Sequence, residues 1–134
     1  MMIIAIDFDG TCVSHEYPKI GKDIGAVPVL RWLIDQGHKL ILWTIRCNNE
    51  LNEAVEWFYS NDIPLYGINK NPNQFKWTSS PKAYAHIYID DAAMGCPLLY
   101  NISVSSRPYA NWEKLKIWLT LALNGHTNLI GVDE

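Results

Sequence analysis

A chain of 134 residues, 49% of them apolar and 19% charged, has the composition of a globular protein and the length of one domain, residues 1–134, with a real core and no room for a second. A net charge of −3 leaves no strong footprint for the phosphates of a nucleic acid. Nowhere do ~20 consecutive apolar residues mark a membrane span.

Residues 3–6, Ile-Ile-Ala-Ile, are a β-branched run without polar alternation, the pattern of a strand buried on both faces of a parallel sheet. Asp7 interrupts the run and no basic leader precedes it, so no signal peptide is expected. Residues 12–23, with Pro18 and Gly21, read as a loop. Asp23 is placed to cap a helix running to about Gln36, with Pro28 near its first turn and Gly37 as its stop. Residues 38–44 are the second buried strand, ending in Thr44. Asn49 is the expected cap of a helix carrying Leu51, Ala54, Val55 and Phe58 at helical spacing, stopped by Asn61 and Asp62. Residues 64–68 give a short third strand, 69–81 a loop, and 81–85 a short helical turn. A fourth strand, residues 87–89, ends in Asp90 and Asp91, and residues 97–100 are a candidate fifth. Asn111 caps a final helix carrying Leu115, Trp118, Leu119 and Ala122, closed by Gly125. Strands alternating with helices predict right-handed βαβ units and a mostly parallel sheet with helices on both faces. Cys12, Cys47 and Cys96 form neither a disulfide framework nor a zinc pattern, and a reduced, cytoplasmic protein is the expectation.

The most informative segment is Asp7-Phe8-Asp9-Gly10-Thr11. At ~5–7% usage per residue type such a string arises by chance in roughly one chain of this size in a thousand, and here it follows a buried strand. In open α/β sheets ligands bind outside the carboxyl ends of the strands. The plainer account is a pair of solvated turn acids, since Asp and Gly are ordinary turn residues. The functional account is a cation site joined to a carboxylate nucleophile. Two carboxylates held close repel unless a proton or metal lies between them, and hard oxygen ligands suit Mg²⁺. Thr44 and the Asp90-Asp91 pair close other strands, so all three polar strand ends are expected along one edge of the sheet.

In this order, Asp7 to Thr11, then Thr44, then a lysine, then Asp90-Asp91 after Ile87-Tyr88-Ile89, the chain resembles the haloacid dehalogenase-like (HAD) superfamily of phosphohydrolases, and within it the small capless members. The resemblance implies a HAD-like Rossmannoid three-layer α/β/α fold without a cap domain. It implies that Asp7 is the nucleophile and that Asp9 is the general acid and then the base that activates water. Mg²⁺ would be held by the Asp7 carboxylate, the Asp9 backbone carbonyl and Asp90, with Asp91 in contact or one layer out. Thr44 would donate its hydroxyl to a phosphoryl oxygen. Lys82, eight positions before Asp90, is the chosen lysine and Lys70 its competitor. Arg46 is placed to fork onto a substrate phosphate or carboxylate, with a surface arginine as the equal alternative. Trp77, with Phe75, offers a ring for stacking, although with six tryptophans in the chain packing is the plainer account. His15, His38, His86 and His126 fit no ligand spacing and read as structural.

The implied activity is Mg²⁺-dependent phosphomonoester hydrolysis through an aspartyl-phosphate. The alternatives are a phosphotransferase with the same chemistry and a non-catalytic binding or regulatory module that keeps the fold. A response-regulator receiver also uses an acidic cluster and a lysine, but its acid pair and phosphoacceptor lie on different strands. The Ile89-Asp90-Asp91 ending resembles the deoxyribonucleotidase branch and points weakly to nucleotides. Residues 12–37 and 45–81 are each used up by ordinary elements, so neither interval holds a cap and an open site is expected. Specificity would then come from broad activity on small phosphoesters, from a large phosphorylated substrate that covers the site, or from a neighbouring subunit of a homo-oligomer acting as a lid. The 69–81 loop is the part expected to touch substrate.

Overall fold

The computed structural model describes the backbone of residues 1–133 and the side chains of residues 1–125. Its centre is β1 (Ile3–Ile6), buried along its whole length. β2 (Lys39–Leu42) and β4 (Ile87–Ile89) pair with β1 on either side, and β3 (Gly67–Ile68) pairs with β2. All these pairings are parallel, giving the order β3-β2-β1-β4. This is a Rossmann-like α/β arrangement, with three α-helices among the described residues. Every carboxyl strand end therefore faces the same edge, as the sequence pattern requires.

Alternation along β1 and β2 divides the core. Ile4, Ile6, Leu40, Leu42 and Ile89 share one hydrophobic cluster with Leu30 and Leu33 of α1 (Ala26–Asp35), Ala54 and Phe58 of α2 (Asn48–Ser60), and Leu115, Leu119 and Leu123 of α3 (Trp112–Asp133). Each fully buried aliphatic or phenyl side chain contributes ~1.5–3 kcal/mol, so this cluster is the main source of stability. Ile3, Ala5 and Ile41 form a smaller cluster with Ala85, flanked by Trp43 and Tyr66. The expected second helical layer is replaced there by the crossover from β3 to β4, residues 69–86. Its described helical part is the single 3₁₀ turn Gln74–Lys76, and residues 81–85 form no helical turn. That segment carries Asn, Pro, Ser and Thr in excess, which favour local turns over a helix.

Local signals explain the element ends. Asp23 Oδ1 accepts the Ala26 and Val27 N–H groups at 2.9 and 3.2 Å, the capping expected of it. Gly37, at φ +87°, closes α1 by donating to Ile34 O, while His38 N–H reaches back to Leu33 O. Asn49 does not cap α2: the helix starts at Asn48 with Cys47 as N-cap, and Asn49 lies inside its first turn. Asn111 Oδ1 accepts the Lys114 N–H at 3.1 Å and starts α3, which runs on through Gly125 to Asp133. The expected fifth strand is β5 (Leu98–Leu99), paired antiparallel with β6 (Tyr109–Ala110) in a ribbon separate from the main sheet. Cys12, Cys47 and Cys96 are free thiols. No helix among the described residues is long and apolar enough to cross a membrane.

Candidate functional site

The parallel ladder carries β1 one step past its end, with Asp7 N–H donating to Ile89 O at 2.9 Å. The chain then turns sharply: Thr11 and Cys12 N–H both return to Phe8 O, and Gly10 adopts φ +81°, a conformation glycine takes without strain. A Cβ on Gly10 would stand 2.1 Å from His15 Nε2 and 2.5 Å from Asp91 Oδ2. Glycine is thus required here twice over. Phe8 is fully buried and anchors the turn by edge and tilted contacts with Trp57 and Phe58 of α2.

The turn brings Asp7 to Asp90 and Asp91 at the end of β4, with one carboxylate oxygen from each within 4.8 Å of the others. Thr11, fully buried, ties them together. Its Oγ1 lies 2.9 Å from Asp7 Oδ2 and 3.0 Å from Asp91 Oδ1, and accepts the Asp91 N–H at 2.9 Å. Its one hydroxyl proton serves one carboxylate at a time, so the other oxygens remain acceptors facing acceptors. Burial first, then the shared hydrogen bond with Asp91 and the charge of Asp90, push the Asp7 carboxyl up to about 8 against the hydroxyl of Thr11, which lowers it. Asp90 Oδ1 accepts the Ala92 N–H. His15 Nε2 lies 3.1 Å from both Asp91 Oδ2 and Pro108 O, two acceptors that assign the proton to Nε2. The neighbouring thiols are unreactive acids: burial, with the nearby aspartates, holds Cys12 well above its ordinary range and Cys96 at about 11.

Asp9 and Arg46 face each other instead of the acidic trio. Arg46 Nε and Nη2 donate to Asp9 Oδ2 and Oδ1, each at 2.7 Å, a bidentate fork. The remaining donors go to Pro18 O, Lys19 O and Glu50 O. The guanidinium is buried, with its carbon 5.1 Å from the ring centres of both Phe8 and Tyr17. The expectation that Arg46 binds substrate is therefore corrected: its guanidinium is fully engaged in holding Asp9 and the 18–19 loop. Asp9 lines the cleft, but both its oxygens point at Arg46.

A cleft of about 640 Å³ opens over Asp7, Asp90 and Asp91, with Thr44 and Asn69 on its wall. Asn69 Oδ1 accepts the Thr44 N–H at 2.8 Å, and Thr44 Oγ1 accepts the Arg46 N–H at 3.1 Å, leaving the Thr44 hydroxyl proton free to donate. Thr44 is thus placed with the acids, as expected. Lys82 is not: it precedes β4, is exposed, and its Nζ sits 5.4 Å above the Tyr88 ring. Lys70, its competitor, lines a separate hollow with Phe75. Trp77 packs edge-on against Tyr84 and stands outside the cleft. His38 and His86 are structural, accepting the Met2 and Ile3 N–H groups at Nδ1, whereas His15 belongs to the site. The side chain of His126 lies outside the described residues. His15, Tyr17 and Arg107 line the cleft without any signal in the local sequence, because each is brought there by loop contacts across the chain.

No protein-family model matches the chain, and no curated protein does. It is similar to the solved structure of a conserved protein from Bacteroides thetaiotaomicron, at 43% identity over 70% of this chain and 78% of that one, with a TM-score of 0.64.

Proposed function

We propose, for a chain that belongs to the same family as this conserved Bacteroides thetaiotaomicron protein, a HAD-like Mg²⁺-dependent phosphomonoester hydrolase that acts through an aspartyl-phosphate on Asp7. The observation that carries this reading is the placement of Asp7 at the carboxyl end of the central strand, with Asp90 and Asp91 within 4.8 Å and Thr44 on the wall of the same cleft. Three oxygen donors so close suit a hard cation. The upward push on Asp7 is consistent with the same fit, since burial first and then the neighbouring Asp91 and Asp90 disfavour its charged form, which a bound cation would favour. Mg²⁺ held by Asp7, Asp90, Asp91 and the Asp9 carbonyl would supply the positive charge that keeps Asp7 ionised and screens an incoming phosphate.

Asp7 Oδ attacks phosphorus and the alkoxide departs; water then cleaves the acyl phosphate, which releases inorganic phosphate and restores the carboxylate. The Thr44 hydroxyl donates to a phosphoryl oxygen. Asp9 protonates the alkoxide and later takes a proton from water. Delivering that proton requires one Asp9 oxygen to leave Arg46, so the fork seen here is a resting arrangement. The same fork favours a second reading, a binding module whose Asp9 never turns.

A panel of phosphomonoesters, nucleotides among them, assayed in Mg²⁺ and in EDTA tests the proposal. The expected result is turnover in Mg²⁺ alone, with Asp9→Asn reduced by ~10²–10⁴-fold and Asp7→Asn by more. Near wild-type turnover by Asp7→Asn removes the nucleophile assignment, and no turnover of any ester favours the binding module. Product formation that depends on an added alcohol acceptor identifies a phosphotransferase.

A further inference from the structure

The acidic cleft as described has no lysine to meet a substrate's negative charge, and phosphoryl transfer draws on positive charge around the transferring group. We propose that Arg107 is the residue that binds the substrate phosphate, an inference that rests on the phosphohydrolase reading and adds to it the cation of the site.

Arg107 belongs to the loop between β5 and β6; that loop is fastened to His15, and β6 and the start of α3 that follow it are fastened to the Asp7–Thr11 turn. Ser105 Oγ accepts the His15 N–H at 2.9 Å, and Pro108 O lies 3.1 Å from His15 Nε2. Ala110 N–H donates to Gly10 O at 2.9 Å, and Trp112 Nε1 donates to Thr11 O at 2.6 Å. Ser105, Tyr109 and Ala110 are buried, while Arg107 between them is exposed and lines the cleft. The residues on either side of Arg107 are thus held by His15 and by the segment that joins the nucleophile's turn, and Arg107 itself borders the space a substrate would fill. Its guanidinium makes no hydrogen bond or ion pair among the described residues. Arg46 contrasts with it: every donor there is occupied. An unpaired arginine on the wall of the cleft that holds the three carboxylates offers a planar, two-pronged donor for phosphate oxygens.

The test compares wild type with Arg107→Ala, Arg107→Lys, Lys82→Ala and Lys70→Ala. The readouts are kcat and KM for an aryl phosphate in Mg²⁺, and the Kd of inorganic phosphate measured calorimetrically in the same buffer. Arg107→Ala is expected to raise both KM and the phosphate Kd by ~10–100-fold, the size of a charge-assisted hydrogen-bond pair. Arg107→Lys recovers part of that loss, and the two other lysine variants stay within about twofold of wild type. Because the Arg107 side chain makes no hydrogen bond or ion pair among the described residues, unchanged unfolding curves separate this loss from misfolding. Wild-type phosphate affinity in Arg107→Ala, or loss of affinity in either Lys82→Ala or Lys70→Ala, overturns the proposal. A wild type that binds phosphate through Arg107 and hydrolyses nothing retains the Arg107 site and refutes the hydrolase instead. A wild type that binds no phosphate refutes the Arg107 site whatever its turnover.

Discussion

Asp7→Asn is expected to make the metal-free protein more stable, and to do so only at neutral and alkaline pH. The asparagine keeps the shape of the carboxyl, keeps an oxygen for the Thr11 hydroxyl 2.9 Å away, and presents an N–H₂ to Asp91 where the acid must share a proton. The folded-state value of about 8 lies above the ordinary 3.8, so the protonated carboxyl is the form the fold prefers. Its contribution is full below pH 3.8 and is lost as the pH rises through about 8. At ~1.4 kcal/mol per pKa unit the loss across that window has an upper limit of about 6 kcal/mol, reduced by the partial exposure of the group. An advantage of roughly 2–4 kcal/mol for Asp7→Asn at pH 8.5 follows, shrinking to nothing near pH 4. Urea unfolding in EDTA at pH 4, 6 and 8.5, with matching m-values as the control for compactness, measures the difference directly. Mg²⁺ added at pH 8.5 should then stabilise wild type and leave Asp7→Asn unmoved. A stability difference that is flat from pH 4 to 8.5, or a variant weaker than wild type throughout, refutes the electrostatic account of the trio.

Arg46→Met strands a nearly buried Asp9 carboxylate and three carbonyl oxygens, and should lower the unfolding free energy by ~3–5 kcal/mol, read from urea midpoints; a loss under ~1 kcal/mol contradicts the fork. Asp90→Ala should raise the Mg²⁺ concentration for half-maximal activity more than Asp91→Ala does, because Asp91 is already held by Thr11 and His15 while Asp90 holds only the Ala92 N–H. Asp91→Ala should lower the Tm more, and the opposite order on both measurements exchanges the two roles. Gly10→Ala meets a positive φ and the His15 ring together, and should cost at least ~1–2 kcal/mol. Placing it in a His15→Ala background should restore part of the Tm; no recovery there means the ring contact is not what excludes a side chain.

What the sequence made legible follows from periodicity. A β-branched run that ends in carboxylates places Asp7, Asp90 and Asp91 at the strand ends, and parallel pairing brings those ends together whatever the loops do. Thr44 is found in the cleft for the same reason. Arg46 was legible as an arginine near the site and not as a partner of Asp9, because only the fold shows that the 18–19 carbonyls and Glu50 O surround it. Lys82 sits before β4 begins, whereas the acids stand beyond its end, and a count of eight residues does not tell one end of a strand from the other. The second helical layer failed because the 69–86 crossover holds turn-forming residues where a helix would need an apolar stripe. His15 and Arg107 depend on contacts such as that from His15 to Pro108, 93 residues apart, which no local pattern encodes.

The clasp between the nucleophile's turn and the segment leading into α3 also bears on the order in which the molecule forms. Trp112 and Thr11 are separated by 101 residues, and Ala110 completes the same turn through Gly10. The turn that follows β1 is therefore not fastened until about a hundred further residues have been made. Contacts of such sequence separation are slow to close, since the intervening chain must be ordered first. Sheet pairing between β1, β2 and β4 can therefore precede assembly of the acidic trio, so that the carboxylates are brought into mutual repulsion only when the finished core is there to hold them. Trp112→Phe, which removes the indole donor to Thr11 O while keeping an aromatic ring in the core, should weaken the clasp and the site more than the sheet.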